Sequence, residues 1–185
     1  INISYKVGNV TYSYSEEMVL GSDWSISAVN ETIKNGNYAG TTSAMISIND
    51  NVSVMTSNVA KYNGSFDTSK SASELFGTAT KNTLVVGDGL GNSIYVVGIG
   101  VTIGADGKVS ELSITKNSTI QMVKVDETTG YSYAYSMSVS GATTYAAATF
   151  GNINIDTIFG LGDTSKGSIN ISYKVGNVTY SYSEE

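Results

Sequence analysis

The chain has 185 residues, of which 41% are hydrophobic, and it carries a formal net charge of −6. It contains no Cys, His or Pro. Without imidazole or thiolate groups, the usual zinc, copper, haem and iron–sulfur ligand sets and the Ser–His or Cys–His nucleophiles are excluded. The acidic charge argues against a nucleic-acid partner, and no apolar run is long enough to predict a membrane span. The hydrophobic content allows one domain, or two small ones, with a real core.

Apolar and polar residues alternate with a period of two along most of the chain, which is typical of half-buried strands. In chain order, the predicted strands include residues 24–29, 46–48, 52–54, 94–103, 109–114, 131–139 and 153–155. Segment 94–103 is apolar at both parities and predicts a central strand covered on both faces. Its glycines, Gly98 and Gly100, allow a bulge or a close backbone approach.

One short helix is predicted at residues 71–76. Ser71 and Glu74 have the spacing of a capping box, and Gly77 follows at the position of a C-terminal cap. Turn signals recur at the spacing of an all-β domain. They are at residues 8–9, 49–51, 87–92, 104–108, 126–130 and 160–163. These elements predict an all-β, immunoglobulin-like or pilin-like β-sandwich.

The first seventeen residues, INISYKVGNVTYSYSEE, recur without a change at residues 169–185. Within this segment the apolar positions change parity at Gly8-Asn9. A two-residue turn there would make a hairpin and place all six apolar partners on one face. A single long strand with a bulge at Gly8-Asn9 would also reset the face. Local chemistry favours the hairpin and leaves the long strand open.

The duplication has three explanations: a tandem repeat of 168 residues, a cloning scar or circular-permutation design, or a neighbour's leading strand attached to the chain end. The third predicts an N-terminal donor strand (1–17) that inserts into a neighbouring subunit, a β-sandwich pilin domain (18–168), and a stand-in for the neighbour's donor (169–185). A sheet that lacks a strand exposes unpaired backbone groups, which a donor from an identical subunit satisfies. The predicted donor side chains are Ile1, Ile3, Tyr5, Val7, Val10, Tyr12, Tyr14, Ile169, Ile171, Tyr173, Val175, Val178, Tyr180 and Tyr182.

A mobile β leader before a cysteine-free domain rich in Tyr, Ser, Thr and Asn resembles the donor-strand-complemented surface filaments of archaea. The similarity is greatest to the glycosylated "thread" filaments of thermoacidophiles. Chaperone–usher pilins share the exchange principle but usually carry Cys and Pro. The resemblance implies a non-enzymatic structural subunit of an extracellular pilus or thread, polymerised head to tail, with N-linked glycans and a role in adhesion or biofilm formation. The first residue, Ile1, agrees with removal of a leader.

Covalent N-glycans are predicted from Asn-x-Ser/Thr sequons, several of which fall at probable turns. The sequons start at Asn2, Asn9, Asn30, Asn51, Asn63, Asn117, Asn170 and Asn177. Polar composition alone produces some sequons by chance, which leaves their use open.

Other functions have weaker support. The carboxylates that a glycosidase would need, Asp88, Asp106, Glu111, Asp126 and Glu127, lie mainly at turns, where turn chemistry explains them. The GDGLGN loop at 87–92 has too few ligands for calcium, so no metal or other cofactor is expected. A stand-alone carbohydrate-binding or adhesin module is the alternative function, since Tyr38, Tyr62 and Tyr145 are not committed to a strand face.

Overall fold

The computed structural model describes residues 1–17, 22–36, 40–59, 62–78 and 81–185. The strands are β1 (Asn2–Val7), β2 (Val10–Ser15), β3 (Thr41–Ser47), β4 (Val52–Ser57), β5 (Asn82–Gly87), β6 (Ser93–Ile103), β7 (Val109–Ile114), β8 (Thr119–Asp126), β9 (Tyr131–Val139), β10 (Thr143–Ala146), β11 (Gly162–Val175) and β12 (Val178–Glu184). The helices are α1 (Ile26–Asn35), α2 (Ala72–Phe76) and α3 (Ile155–Phe159), with a 3-10 helix at Ala147–Asn152. Of the predicted uncommitted tyrosines, Tyr38 lies outside the described residues.

Ten of the strands follow one another in a large antiparallel sheet. Their order is β1-β2-β3-β4-β5-β6-β8-β9-β11-β12, so that β1 and β12 are its two edges. The order departs from the chain where β7 turns away to pair with β10 and with the second half of β6. The prediction of an all-β fold is confirmed in its coarse form, a predominantly β antiparallel architecture. The sandwich completed by a donor strand stays a prediction.

The turns form where the sequence places Gly, Asn and Asp. Residues 8–9, 49–51, 87–92, 104–108 and 126–130 each connect two consecutive strands, and the sixth predicted turn leads into β11. Gly8 has a φ of 58°, in the left-handed region that a two-residue hairpin turn requires. These short connections fix the antiparallel neighbours and, with them, most of the strand order.

Strand β6 carries the predicted bulge but is buried on one face alone. Asn82 lies opposite Ile99 and Thr83 opposite Val97, so Gly98 is the extra residue. Ile94 and Val96 are fully buried, whereas Val97 is 40% exposed. The prediction of a strand covered on both faces is therefore wrong, because the apolar side chains at the second parity lie on the solvent side of the sheet.

The main core lies on the face of the sheet to which Ile94 and Val96 point. Phe76 of α2, Phe150 of the 3-10 helix and Ile158 of α3 are buried in one cluster with the inward side chains of the sheet and of β7. The predicted helix at 71–76 is confirmed, including the capping box in which Ser71 and Glu74 bond each other's backbone N–H. These short elements close the main core over the middle of the sheet.

Two predicted strands are absent, and a helix begins within each of the two segments. Residues 24–29 lead into α1, whose N-cap Ser25 accepts a hydrogen bond from the backbone N–H of Ala28. Residues 153–155 lead into α3, which a reciprocal Asn154–Thr157 pair caps. In both segments alternating apolar residues suggested strands, but a helix cap and tertiary burial of one helix face determine the outcome.

Candidate assembly interface

Residues 1–17 form a hairpin, called here the first hairpin, from β1, the Gly8-Asn9 turn and β2. The register pairs Val7 with Val10, Tyr5 with Tyr12 and Ile3 with Tyr14. The hairpin is therefore the geometry that the segment adopts, and the single long strand with a bulge is wrong. Strand β2 pairs along its whole length with β3, so within one chain this hairpin belongs to its own sheet.

The inward side chains of β2 are buried under a local layer. The ring of Tyr14 stacks on that of Tyr62 with centroids 4.7 Å apart, and Tyr12 lies 6.1 Å from Phe66. Val29 and Ile33 of α1 are buried in the same cluster as Tyr14. We call α1 together with residues 62–66 the cover, since it shields this part of the sheet from water.

Polar bonds hold the cover and the hairpin in place. The Tyr14 hydroxyl donates to Glu16 Oε2 at 2.6 Å, and the Tyr62 hydroxyl donates to Asn30 Oδ1 at 2.5 Å. Burial, and then the bond to the Glu16 carboxylate, raise the pKa of Tyr14 to about 12. At neutral pH Tyr14 is therefore a neutral donor anchored beneath α1. Gly40 lies against the Tyr14 ring so closely that a Cβ at that position would overlap it.

Residues 169–185 form a second hairpin with the same internal register as the first. Tyr173 pairs with Tyr180 as Tyr5 pairs with Tyr12, and Ile171 pairs with Tyr182 as Ile3 pairs with Tyr14. The Tyr182 hydroxyl donates to Glu184 at 2.7 Å, which repeats the Tyr14–Glu16 bond. The identical sequence thus folds in the same way at the opposite edge of the sheet.

The second hairpin is attached through its first strand. Strand β11 pairs with β9, and its residues 169, 171 and 173 lie opposite Tyr135, Tyr133 and Tyr131. Directly opposed residues share a face, so these three tyrosines, called here the tyrosine ladder, lie beside the apolar positions of the repeated segment. The rings of Tyr131 and Tyr173 stack with centroids 4.7 Å apart.

The two hairpins leave opposite strands unpaired. In the first hairpin, β2 is bonded to β3 and β1 is an edge, whereas in the second hairpin β11 is bonded to β9 and β12 is an edge. The burial differs accordingly, since Tyr14 is 2% exposed and its equivalent Tyr182 is 56% exposed. Among the fourteen predicted donor side chains, Val10, Tyr12 and Tyr14 are buried. The sequence segment therefore has two possible sheet neighbours, and each hairpin uses one of them.

An apolar groove of about 620 Å³ runs along the free side of the first hairpin, between β1 and the start of α1. We call it the edge groove. Ile1, Ile3 and Tyr5 of the first hairpin line it together with Trp24 and Ile26, and Tyr62 and Phe66 of the cover also contribute. Trp24 is 67% and Ile26 78% exposed, which is unusual for such large apolar side chains.

The sequons lie mostly at the surface. Their asparagines are exposed in seven positions, Asn2, Asn9, Asn51, Asn63, Asn117, Asn170 and Asn177. Asn30 is half-buried in α1 and accepts the Tyr62 hydrogen bond, so it is the least accessible. Asn9 Nδ2 donates to the backbone oxygen of Gly107 at 2.9 Å. Glycosylation stays a prediction at each of them.

The carboxylates considered for catalysis are partly explained by local bonds. Asp88 accepts from Leu90 and Asn92, and Asp126 accepts from Thr128 and Thr129. These bonds lower the pKa of both carboxyls. Within the described residues there is no group of three Asp or Glu arranged to hold a metal ion.

Two of the tyrosines considered for sugar stacking are not free. Tyr62 is buried in the cover, and Tyr145 packs against the main core. The residues that sequence reasoning missed are Trp24, Ile26 and the rest of the α1 face. Ser25 followed by apolar residues at 26, 29 and 33 has the spacing of a capped amphipathic helix, and this signal could have identified them.

None of the helices formed by the described residues has the length and apolarity to cross a membrane. Comparison of the chain with models of protein families, with curated proteins and with solved structures finds no significant match.

Proposed function

We propose that the chain is a non-enzymatic structural subunit of an extracellular filament, in which identical molecules join head to tail through the repeated hairpin. The observation that carries the proposal is the pairing of β9 with residues 169–175. The same sequence, at residues 1–7, is the free edge β1 at the far side of the sheet. The first hairpin of one molecule can therefore take the place that the second hairpin holds on β9 of another.

The register of this contact follows from the sequence identity. Ile1, Ile3 and Tyr5 of the incoming hairpin would lie opposite the tyrosine ladder, as Ile169, Ile171 and Tyr173 do within the chain. The backbone groups of β9 bond to the same strand sequence in both cases. Main-chain hydrogen bonds supply affinity and the alternating side chains supply specificity, as in other cases of strand addition.

The donor in this arrangement is a bridge. Its β2 stays on its own β3, with Tyr12 and Tyr14 under the cover, while its β1 joins the neighbour's β9. Ordering a loose strand is therefore not required, and the entropy cost of assembly is smaller than for a flexible leader. The sheet of one molecule continues into that of the next.

This contact is heterologous, because the two participating edges are different strands at opposite ends of the strand order. Repetition of the contact gives a fibre. The displaced second hairpin is a weak competitor, since β12 is exposed along its entire length. A molecule that arrives on β9 brings its own β3 and cover beneath the hairpin, which the second hairpin lacks.

An extracellular location, N-glycans on the exposed sequons, and a role in adhesion or biofilm formation complete the proposal. The hydroxyl-rich and weakly charged composition, with 14% charged residues, agrees with a surface solvated mainly by neutral groups. The exposed position of seven sequon asparagines leaves room for bulky sugars.

Electron microscopy of the purified chain over a range of concentrations tests the proposal. Each molecule adds eight strands to the sheet, β1 to β6 with β8 and β9, and a strand spacing of about 4.8 Å gives an axial repeat of about 38 Å. Fibres with this repeat are expected, and added peptide of residues 1–17 should shorten them. Monomers at every concentration, or fibres with a different repeat, would contradict the proposal.

A carbohydrate-binding module is the second candidate, because the exposed Trp24 and Tyr5 line the edge groove. Aromatic rings at a groove can stack on sugar rings. In that case the monomer should bind an oligosaccharide with a saturable isotherm, and Trp24→Ala should abolish it.

A further inference from the structure

We infer that the edge groove is closed by the tyrosine ladder of a second molecule, so that Trp24 and Ile26 become buried contacts between subunits. This inference rests on the proposed head-to-tail assembly and identifies the side chains that stabilise it. The open groove and the ladder, in which Tyr131 is exposed and Tyr133 and Tyr135 are half-buried, would then be two halves of one packed layer.

The faces of the strands determine the contact. Ile1 and Ile3 pack against the buried cluster that contains Val29 and Ile33 of α1, so they point to the side of β1 on which α1 lies. Tyr5 shares that face, since it has the same parity and lies opposite the buried Tyr12. In the second hairpin the equivalent residues share their face with Tyr135, Tyr133 and Tyr131. A β9 strand joined to β1 would therefore carry its ladder on the α1 side as well.

The spacing of strands supports the same contact. A joined β9 lies about 4.8 Å beyond β1, directly outside the wall that β1 forms. Trp24 precedes α1 and Ile26 begins it, and both line the same groove as β1. Tyrosine rings that extend from the added strand can then span the opening of the groove and contact the indole of Trp24.

This layer explains why β9 would pair with the first hairpin of a neighbouring molecule in preference to the second hairpin of its own chain. The second hairpin makes the β9 pairing but has no α1 beside it, so Tyr131 stays 40% exposed. A neighbouring molecule makes the same pairing and adds α1. Pairing with a neighbouring molecule therefore shields the ladder tyrosines from water, and it also buries Trp24 and Ile26. Pairing with the second hairpin does neither.

The chain has a single tryptophan, so Trp24 fluorescence reports this contact directly. In fibres of the full chain we expect emission shifted to shorter wavelength and several-fold weaker quenching by acrylamide than in monomers. Tyr133→Ala should weaken assembly and reduce both changes. Ser132→Ala, on the opposite face of the same strand, is the matched control and should alter neither.

Three outcomes are informative. Fibres with a protected Trp24 and a specific effect of Tyr133→Ala support the inference. Fibres in which Trp24 remains as accessible as in the monomer overturn it and leave head-to-tail assembly intact. If light scattering and microscopy detect no fibres, the assembly and this contact are both wrong, and a sugar that protects Trp24 in the monomer would then favour the carbohydrate module.

Discussion

The ring of Tyr173 stacks on the ring of Tyr131 with centroids 4.7 Å apart. Tyr5 occupies the same position in the first copy of the repeated segment, and it is 54% exposed at the opposite edge of the sheet. Two residues with identical sequence surroundings therefore differ in whether β9 is beside them. If β9 of another molecule can reach Tyr5, the same substitution at the two positions must have opposite consequences.

The first prediction compares Tyr5→Ala with Tyr173→Ala. In the proposed assembly Tyr5→Ala removes a contact between molecules, so it should weaken association about two- to ten-fold, the range of an aromatic pair worth about 0.5–1.5 kcal/mol. Tyr173→Ala weakens the packing of the second hairpin on β9 and should therefore strengthen association between molecules. Sedimentation of both variants at matched concentrations measures the effect. Equal effects of the two substitutions would show that non-specific association through exposed tyrosines explains the fibres.

The second prediction concerns Tyr14 and Tyr182. Tyr14→Ala should lower the free energy of unfolding by about 3–5 kcal/mol, because it removes a large buried ring beneath the cover. Tyr182→Ala changes the same residue in the same local sequence at an exposed edge, and its effect should stay within about 0.5 kcal/mol. Urea unfolding of the monomer measures both. A similar loss for Tyr182→Ala would mean that β12 is already covered.

The third prediction tests the fit between Gly40 and the Tyr14 ring. Gly40→Ala places a methyl group against the ring and should destabilise the chain by about 1–3 kcal/mol, as overpacking does. Gly151→Ala is the control, since a Cβ there meets no neighbouring atom within 4 Å among the described residues. Thermal unfolding should separate the two variants. Equal melting temperatures would indicate that the ring moves aside without cost.

The fourth prediction is a loss of stability at alkaline pH. The pKa of Tyr14 is about 12 in the folded chain and about 10 when unfolded, so the folded state holds this proton more tightly. Its contribution to stability is complete below pH 10 and is lost as the pH rises towards 12. Melting temperatures across pH 8–12 measure the loss.

Tyr14→Phe serves as the control for the alkaline prediction, because it keeps the ring and removes the hydroxyl. The melting temperature of this variant should fall less steeply above pH 10. Part of the fall should remain, since burial also raises the pKa of Tyr12 and Tyr62. A slope identical to that of the parent chain would show that Tyr14 does not titrate in this range.

Local chemistry predicted much of the fold. The Gly8-Asn9 turn, the strand at 131–139 and the capped helix at 71–76 follow from neighbouring residues, and the structure has all three. Helix α1 was missed because Trp24, Ile26 and Ala28 also fit an alternating pattern. Because α1 was not predicted, the cover and the edge groove, which both include residues of this region, were not predicted either.

The strand order was not predictable in the same way. Strand β6 bonds to β8 as well as to β7, and the two identical hairpins lie at opposite edges. Sequence periodicity states which face of a strand is apolar, but it does not state which distant strand lies beside it. The duplicated segment suggested an interface, whereas the choice of β9 as the proposed acceptor strand depended on the three-dimensional register.

In the proposed fibre each molecule contributes eight hydrogen-bonded strands, β1 to β6 with β8 and β9, and this number determines the shape of the fibre. Adjacent strands rotate by about 20–25° relative to each other, so eight of them accumulate about 160–200°. Successive molecules would then be related by nearly a half-turn. The exposed asparagines Asn63 and Asn117 would point alternately to opposite sides of the axis. Such a ribbon has no front or back, and any surface it touches meets the same groups at every second molecule.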